Sequence, residues 1–223
     1  YIIDALDGKF NLTLQLPKNI KSGKHTVDII ASDSKGNSGS SSIELYVTPV
    51  PSYITAEASK VEVLPGSKVE LIASLYDQAN EPINASLELE LNSPSNNKIF
   101  RKPVQSNEII SYEFSQYSES GTYTLVSYYK NLRSQVSINI TKVREVRVSY
   151  GNETVFVENI GNVPFEDELT FILESNLKKY PITKRIGVEP GKSLSIDLSK
   201  EVPLGVYDVL LGIKEGLQPI SES

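Results

Sequence analysis

The sequence predicts an all-β protein built from tandem sandwiches, and three observations carry that prediction. Apolar residues return at every second position in one run after another. The runs are short and end in turn-forming residues, and one short corner motif occurs three times. No stretch shows the 3.6-residue stripe of an amphipathic helix. Many short alternating strands of this kind require two facing sheets, each supplying one apolar side.

Taken in order, Phe10-Asn11-Leu12-Thr13-Leu14-Gln15-Leu16 alternates without a break and is expected to be a strand with one buried and one wet face. Val27, Ile29 and Ala31 repeat the pattern, followed by Ile43, Leu45 and Val47. Further on come Val69, Leu71, Ala73 and Leu75, then Leu87, Leu89 and Leu91, and then Ile110, Tyr112 and Phe114. Leu169, Phe171 and Leu173 form another run, and Leu194, Ile196 and Leu198 form the last. Turn signals bound them, among them Pro65-Gly66-Ser67, Asn92-Ser93-Pro94 and Glu189-Pro190-Gly191.

The corner motif is a Gly, an aromatic two residues on, and an aliphatic two further. It reads Gly23-Lys24-His25-Thr26-Val27, Gly121-Thr122-Tyr123-Thr124-Leu125 and Gly205-Val206-Tyr207-Asp208-Val209. This resembles the tyrosine corner of immunoglobulin-like sandwiches, where the phenol bonds back to the upstream backbone. The middle copy resembles the immunoglobulin Asp-x-Gly-x-Tyr-x-Cys signature with Leu125 in place of the Cys. His25, Tyr123 and Tyr207 are therefore expected to be structural corner residues.

The corner glycines lie 98 and 84 residues apart, which is about one sandwich each. The boundaries expected from this are residues 1–50, the C-terminal half of an incomplete sandwich, then 51–142 and 143–223, one sandwich each. Thr48-Pro49-Val50-Pro51-Ser52 reads as a stiff linker, and Lys142-Val143-Arg144-Glu145 as a direct strand-to-strand junction without Gly or Pro. An elongated array is expected. Roughly 45 residues of opening strands are wanting from the first unit, and Pro219 falls where the last edge strand would begin. With Tyr1 in place of an initiator Met, the chain reads as a processed product or an excised part of a longer protein.

Residues 7–47, with Asp7-Gly8-Lys9-Phe10, Ser22-Gly23 and the stretch from Ala31 to Asn37, resemble the second half of prokaryotic immunoglobulin-like repeats of surface adhesins. Leu64-Pro65-Gly66, Leu75-Tyr76-Asp77 and Glu81-Pro82-Ile83 resemble bacterial immunoglobulin-like and macroglobulin-type modules. The stretch from Val157 to Pro164, followed by Pro190-Gly191, resembles adhesion-related surface modules of archaea and bacteria. These resemblances imply an extracellular, cell-surface or secreted segment that serves as spacer, stalk, lattice element or adhesive region. A strand-complemented head-to-tail filament and a carbohydrate-binding accessory module are the alternatives.

Composition removes several chemistries. The 223 residues contain no Cys, Met or Trp and one His, so disulfides and Cys or multi-His metal sites are excluded within this chain. A net charge of −6 argues against nonspecific attraction to nucleic acid or anionic lipid. No run reaches the ~20 apolar residues of a membrane-spanning helix. With His25 at a corner there is no serine triad, and the Gly-x-Ser-x-Gly, P-loop and His-Glu-x-x-His motifs are absent. No catalytic residue, cofactor or metal ligand is assigned, and the expected partners are proteins, including copies of the chain itself or its neighbouring domains, with glycans a further option.

Four candidate features remain. Glu88 and Glu90 alternate with leucines and are expected on a solvated strand face, with a glycosidase-like acid pair as the sharper reading. Glu166-Asp167-Glu168 and the Asp33-to-Asn37 loop are rich in oxygen ligands, yet a turn explains the second without a metal. Asn11, Asn84, Asn139 and Asn152 head N-x-Ser/Thr sequons and are possible glycan acceptors, Asn11 on the polar face of its strand. Tyr128 and Tyr129 face opposite sides of one strand, so one is expected to be exposed beside a hairpin.

Overall fold

Alternating segments become strands in this chain where a neighbouring strand pairs with them. The computed structural model describes residues 2–151, 154–176, 178–213, 216–219 and 221–222, and no helix occurs among them.

The first sheet is one hairpin, β1 (Gly23–Ser32) against β2 (Ser38–Val47). Its turn is tied by Asp33, whose Oδ1 accepts the N–H groups of Lys35 and Asn37 at 2.8 and 2.9 Å while Oδ2 accepts from Asn37 Nδ2 at 2.7 Å. Gly36 supplies the positive φ of +86° that the turn needs. No described residue before Pro51 is buried, and Ile30 and Tyr46 remain 78% and 76% exposed, so the hairpin has no facing sheet.

Residues 10–16 depart from expectation. They form no strand, and Phe10, Leu12 and Leu16 are exposed. Alternation is held as a strand by a neighbour that takes up the backbone hydrogen bonds, as β1 and β2 do for each other, or by an opposite sheet that takes up the apolar face. Neither is present, so Asn11 sits in exposed irregular chain rather than on a strand face.

The middle sandwich contains β3 (Pro51–Ala58), β4 (Glu62–Val63), β5 (Lys68–Asp77), β6 (Pro82–Ile83), β7 (Ser86–Asn92), β8 (Lys98–Gln105), β9 (Ile109–Glu113), β10 (Gly121–Tyr129) and β11 (Leu132–Ile140). One sheet runs β4-β11-β10-β7-β8, and the other is organised around β5, which pairs with β3, β6 and β9. Val69, Leu71, Ala73 and Leu75 of β5 are buried against Leu87, Leu89, Leu91 and Leu125 of the facing sheet. Phe100, Tyr112, Phe114 and Tyr123 form a chain of ring contacts with centroids 5.5, 5.0 and 5.1 Å apart. Each such pair adds about 1 kcal/mol beyond its buried area.

The last sandwich repeats this order. It contains β12 (Val146–Gly151), β13 (Thr154–Asn159), β14 (Phe165–Ser175), β15 (Lys178–Val188), β16 (Ser193–Asp197), β17 (Asp208–Ile213), β18 (Gly216–Pro219) and β19 (Ser221–Glu222). β13 lies between β12 and β16, and β14 and β17 are the inner strands of β15-β14-β17-β18. Val155, Val157, Phe171, Ile186 and Leu198 fill the space between the sheets. Pro219 ends the edge strand instead of opening it, opposite Leu210. An edge position suits a residue without an N–H.

Candidate functional site

The first and last corners bond their aromatic residues to the backbone carbonyl four residues back. His25 Nε2 lies 2.8 Å from the Lys21 carbonyl oxygen, and the Tyr207 hydroxyl donates to the Pro203 carbonyl at 2.9 Å, each bridging four residues back. Tyr123 is served at the same distance in sequence by the Glu119 backbone, with the Ser118 side chain beside it. Burial pushes the Tyr123 phenol up from its ordinary value. Gly23 and Gly121 take φ of +106° and +125°, which favours glycine, and each begins its strand. Gly205 differs: the Tyr207 ring lies 3.1 Å from the position of an added Cβ, and the strand begins only at Asp208.

Corner loops also touch the sandwich that follows, and they do so through the same chemistry twice. At the first joint, Gln78 Oε1 accepts the Val50 N–H of the linker at 2.7 Å, and Gln78 Nε2 donates to the Ile20 carbonyl at 2.9 Å. At the second, Asn162 Oδ1 accepts the Val143 N–H of the linker at 2.7 Å, and Asn162 Nδ2 donates to the Ser118 carbonyl at 3.1 Å. Ile20 and Ser118 both stand three residues before their corner glycine. One side-chain amide thus ties a linker to the corner of the preceding unit.

Further contacts surround each amide. At the first joint Lys21 Nζ pairs with Glu81 Oε1 at 2.7 Å. Burial pushes the neighbouring Asp77 carboxyl up, but the Glu81 N–H, the Ser22 hydroxyl, the Ala79 N–H and the charge of Lys21 outweigh it and hold Asp77 below the ordinary aspartate value. At the second joint Asn162 Nδ2 also donates to Thr141 O at 3.1 Å, and the N–H groups of Ile160 and Gly161 both donate to Glu145 O at 3.1 Å. Buried Asn159 supports this turn from within: Nδ2 donates to the Val163 and Val188 carbonyls at 2.8 Å each, and Oδ1 accepts the Gly161 N–H at 2.9 Å. The Tyr117 ring lies 3.0 Å from where Gly191 would carry a Cβ, so the second corner loop rests directly on the following sandwich.

The other candidates are dispersed. Glu88 is exposed, whereas Glu90, expected in solvent, is only 8% exposed. The side chains of the adjacent strand and turn cover it: Lys98 Nζ lies 3.2 Å from Glu90 Oε2, and Asn92 Nδ2 donates to Oε1 at 3.0 Å. The Asn92 bond, with the nearby charges of Lys98 and Arg101, holds Glu90 below the ordinary glutamate value against the opposing effect of burial. Glu88 is engaged by Arg101, whose Nε donates to it at 2.8 Å, so both acids are tied into ion pairs on the outer sheet face.

Tyr128 and Tyr129 do face opposite sides, but both are half-buried instead of one being exposed. Tyr129 packs on the core, and the Tyr128 ring lies under the guanidinium groups of Arg101 and Arg133 at 5.3 and 5.9 Å. The carboxylates of residues 166–168 are exposed, and Asp167 Oδ2 lies 3.3 Å from Arg144 Nη2. Asn84 is exposed in the connection between β6 and β7, Asn139 is exposed on β11, and Asn152 lies outside the described residues. The two joints escaped sequence reasoning, because Gln78 and Asn162 are single amides in turns with no pattern to single them out.

No family model matches the chain, and no curated protein matches it. Among solved structures it is similar to trypsin-activated alpha-2-macroglobulin from Escherichia coli, at 9% identity and a TM-score of 0.37 over 77% of this chain and 15% of that one. It is similar to a tetra-tandem repeat from the extending region of a large adhesion protein, at 14% identity and a TM-score of 0.34 over 91% of this chain and 54% of that one. The amphioxus IgVJ-C2 molecule is matched at 21% identity and a TM-score of 0.26 over 54% of this chain and 60% of that one. The chain thus spans less than two thirds of the length of each of these three proteins.

Proposed function

We propose that the chain is a non-enzymatic structural or adhesive segment of a larger extracellular or cell-surface protein, acting as a spacer, stalk or lattice element between neighbouring domains. One observation carries this reading: the same amide tie occurs at both joints, donating to the third residue before a corner glycine and accepting from the linker. Hydrogen bonds are directional, so a joint built this way holds orientation as well as proximity. Interfaces within a chain otherwise leave relative motion as the default. No helix among the described residues is long and apolar enough to cross a membrane.

The experiment is a measurement of residual dipolar couplings across residues 51–213 of the full chain. A single alignment frame for both sandwiches is expected, splitting into two in Asn162→Ala. Two independent frames in the unsubstituted protein would remove the spacer reading. Protease treatment of intact cells that make the protein tests the location, with loss of the segment expected.

A second reading, a strand-complemented filament, is favoured by the bare β1–β2 hairpin, whose Ile30, Ile43 and Tyr46 are exposed. A carbohydrate-binding accessory role gains nothing from Tyr128, whose ring is covered by two arginines.

A further inference from the structure

Two of the three corner loops are seated on a following sandwich, and the third presents the same station. Val202 stands three residues before Gly205, as Ile20 and Ser118 stand before Gly23 and Gly121. Beside it, Leu204 and Val206 are 106% and 91% exposed, the barest aliphatic pair among the described residues of the last sandwich. The loop borders a cavity of about 280 Å³ lined in part by Tyr150, Leu173, Leu198 and Tyr207. Single exposed apolar residues need no explanation, but two that flank the corner glycine of a loop type that is twice an interface do.

Resting on the spacer reading, we infer that the residue 202–206 corner is a docking site for a further β-sandwich unit that presents an Asn or Gln amide on one of its turns. The amide donates to the Val202 carbonyl, as Gln78 donates to Ile20 and Asn162 to Ser118. Leu204 and Val206 supply the apolar contact that Tyr117 makes with Gly191 at the second joint. A second copy of this chain fits less well, since Gln78 and Asn162 are each already engaged at their own joints.

The chain contains no Trp, so Leu204→Trp places a single strong fluorophore on the corner. The probe is the full chain extended after Ser223 by a second copy of residues 48–142, which carries Val50 and Gln78. A parallel extension by residues 141–223, which carries Val143 and Asn162, decides the matter if the first appended unit does not fold. The expected result is a blue-shifted emission and reduced acrylamide quenching in the extended chain, reversed by Gln78→Ala, or by Asn162→Ala, in the appended copy alone.

Emission that stays that of a water-exposed indole in both extensions overturns the docking site. A shift that survives removal of the appended amide overturns the amide as the recognising group. A shift in the unextended chain that grows with concentration makes a second copy the occupant and overturns the sandwich unit proposed. None of these outcomes bears on the alignment frames across the Val143–Asn162 joint, so failure here and failure of the spacer reading are separable.

Discussion

Gln78 and Asn162 are equivalent residues in successive joints. Each accepts a linker N–H at 2.7 Å, from Val50 and Val143 respectively, and donates to a corner carbonyl of the unit before it. The partners are distant in sequence, 58 residues for Gln78 to Ile20 and 44 for Asn162 to Ser118, so the tie is tertiary.

Gln78→Ala should loosen the first joint without unfolding either neighbour. The Val50 N–H loses its acceptor, and hydrogen–deuterium exchange at Val50 should accelerate. The melting of the middle sandwich should move by no more than about 0.5 kcal/mol, as at other sites away from a core. Unchanged exchange at Val50 would count against the tie.

Gly161→Ala should be severe. A β-carbon there would lie 2.4 Å from the Val143 carbonyl oxygen and 2.9 Å from the Glu145 nitrogen, both backbone atoms that cannot swing away. The last sandwich should lose about 1–3 kcal/mol in urea unfolding.

Asn159→Ala attacks the same turn from inside. It takes the Asn159 amide from the Val163 and Val188 carbonyls and leaves the Gly161 N–H only the Glu145 carbonyl, in a site where Asn159 itself is fully buried. A loss of about 3 kcal/mol is expected in chemical denaturation. It should exceed that of Asn162→Ala, whose partners lie nearer to water.

The corner phenols should rank by burial. Tyr123 is 4% exposed and its hydroxyl meets Ser118 and the Glu119 backbone, so Tyr123→Phe is expected to cost about 1 kcal/mol. Tyr207→Phe removes a single bond at an exposed hydroxyl and should cost less. Thermal melts of the two variants decide the order.

Acid should open the first joint. Asp77 is held below the ordinary aspartate value in the folded chain, so its contribution is present in full above the unfolded value of about 4 and fades as pH falls through the lower folded value. Asp33, Asp197 and Glu90 are lowered as well and add the same sign to the acid limb of the whole protein. Asp77→Asn should flatten the part of the pH profile read at Val50 by hydrogen exchange, and an unaltered profile would show that Asp77 takes no part.

The sandwiches were legible because alternation is local: Val69, Leu71, Ala73 and Leu75 announce a buried strand by themselves, and all four are buried. Residues 10–16 carry an equally clear pattern and form no strand, because pairing depends on a neighbour that the pattern does not reveal. Glu90 misled for a related reason. Its place on the outer face of β7 is set by alternation, but Lys98, Arg101 and Asn92 cover it, and only the pairing of β7 with β8 brings the first two near. The joints were illegible altogether, since an amide in a turn becomes a tie only when a carbonyl dozens of residues away comes to meet it.

Both ties are built from neutral amides and carbonyls, which leaves salt little to screen. The one ion pair at the first joint, Lys21 with Glu81, has side chains 74% and 46% exposed and will fade as ionic strength rises. The joints should therefore hold their angle from low to high ionic strength, so that salt alone would leave the two sandwiches in register while the surface pairs around them come apart.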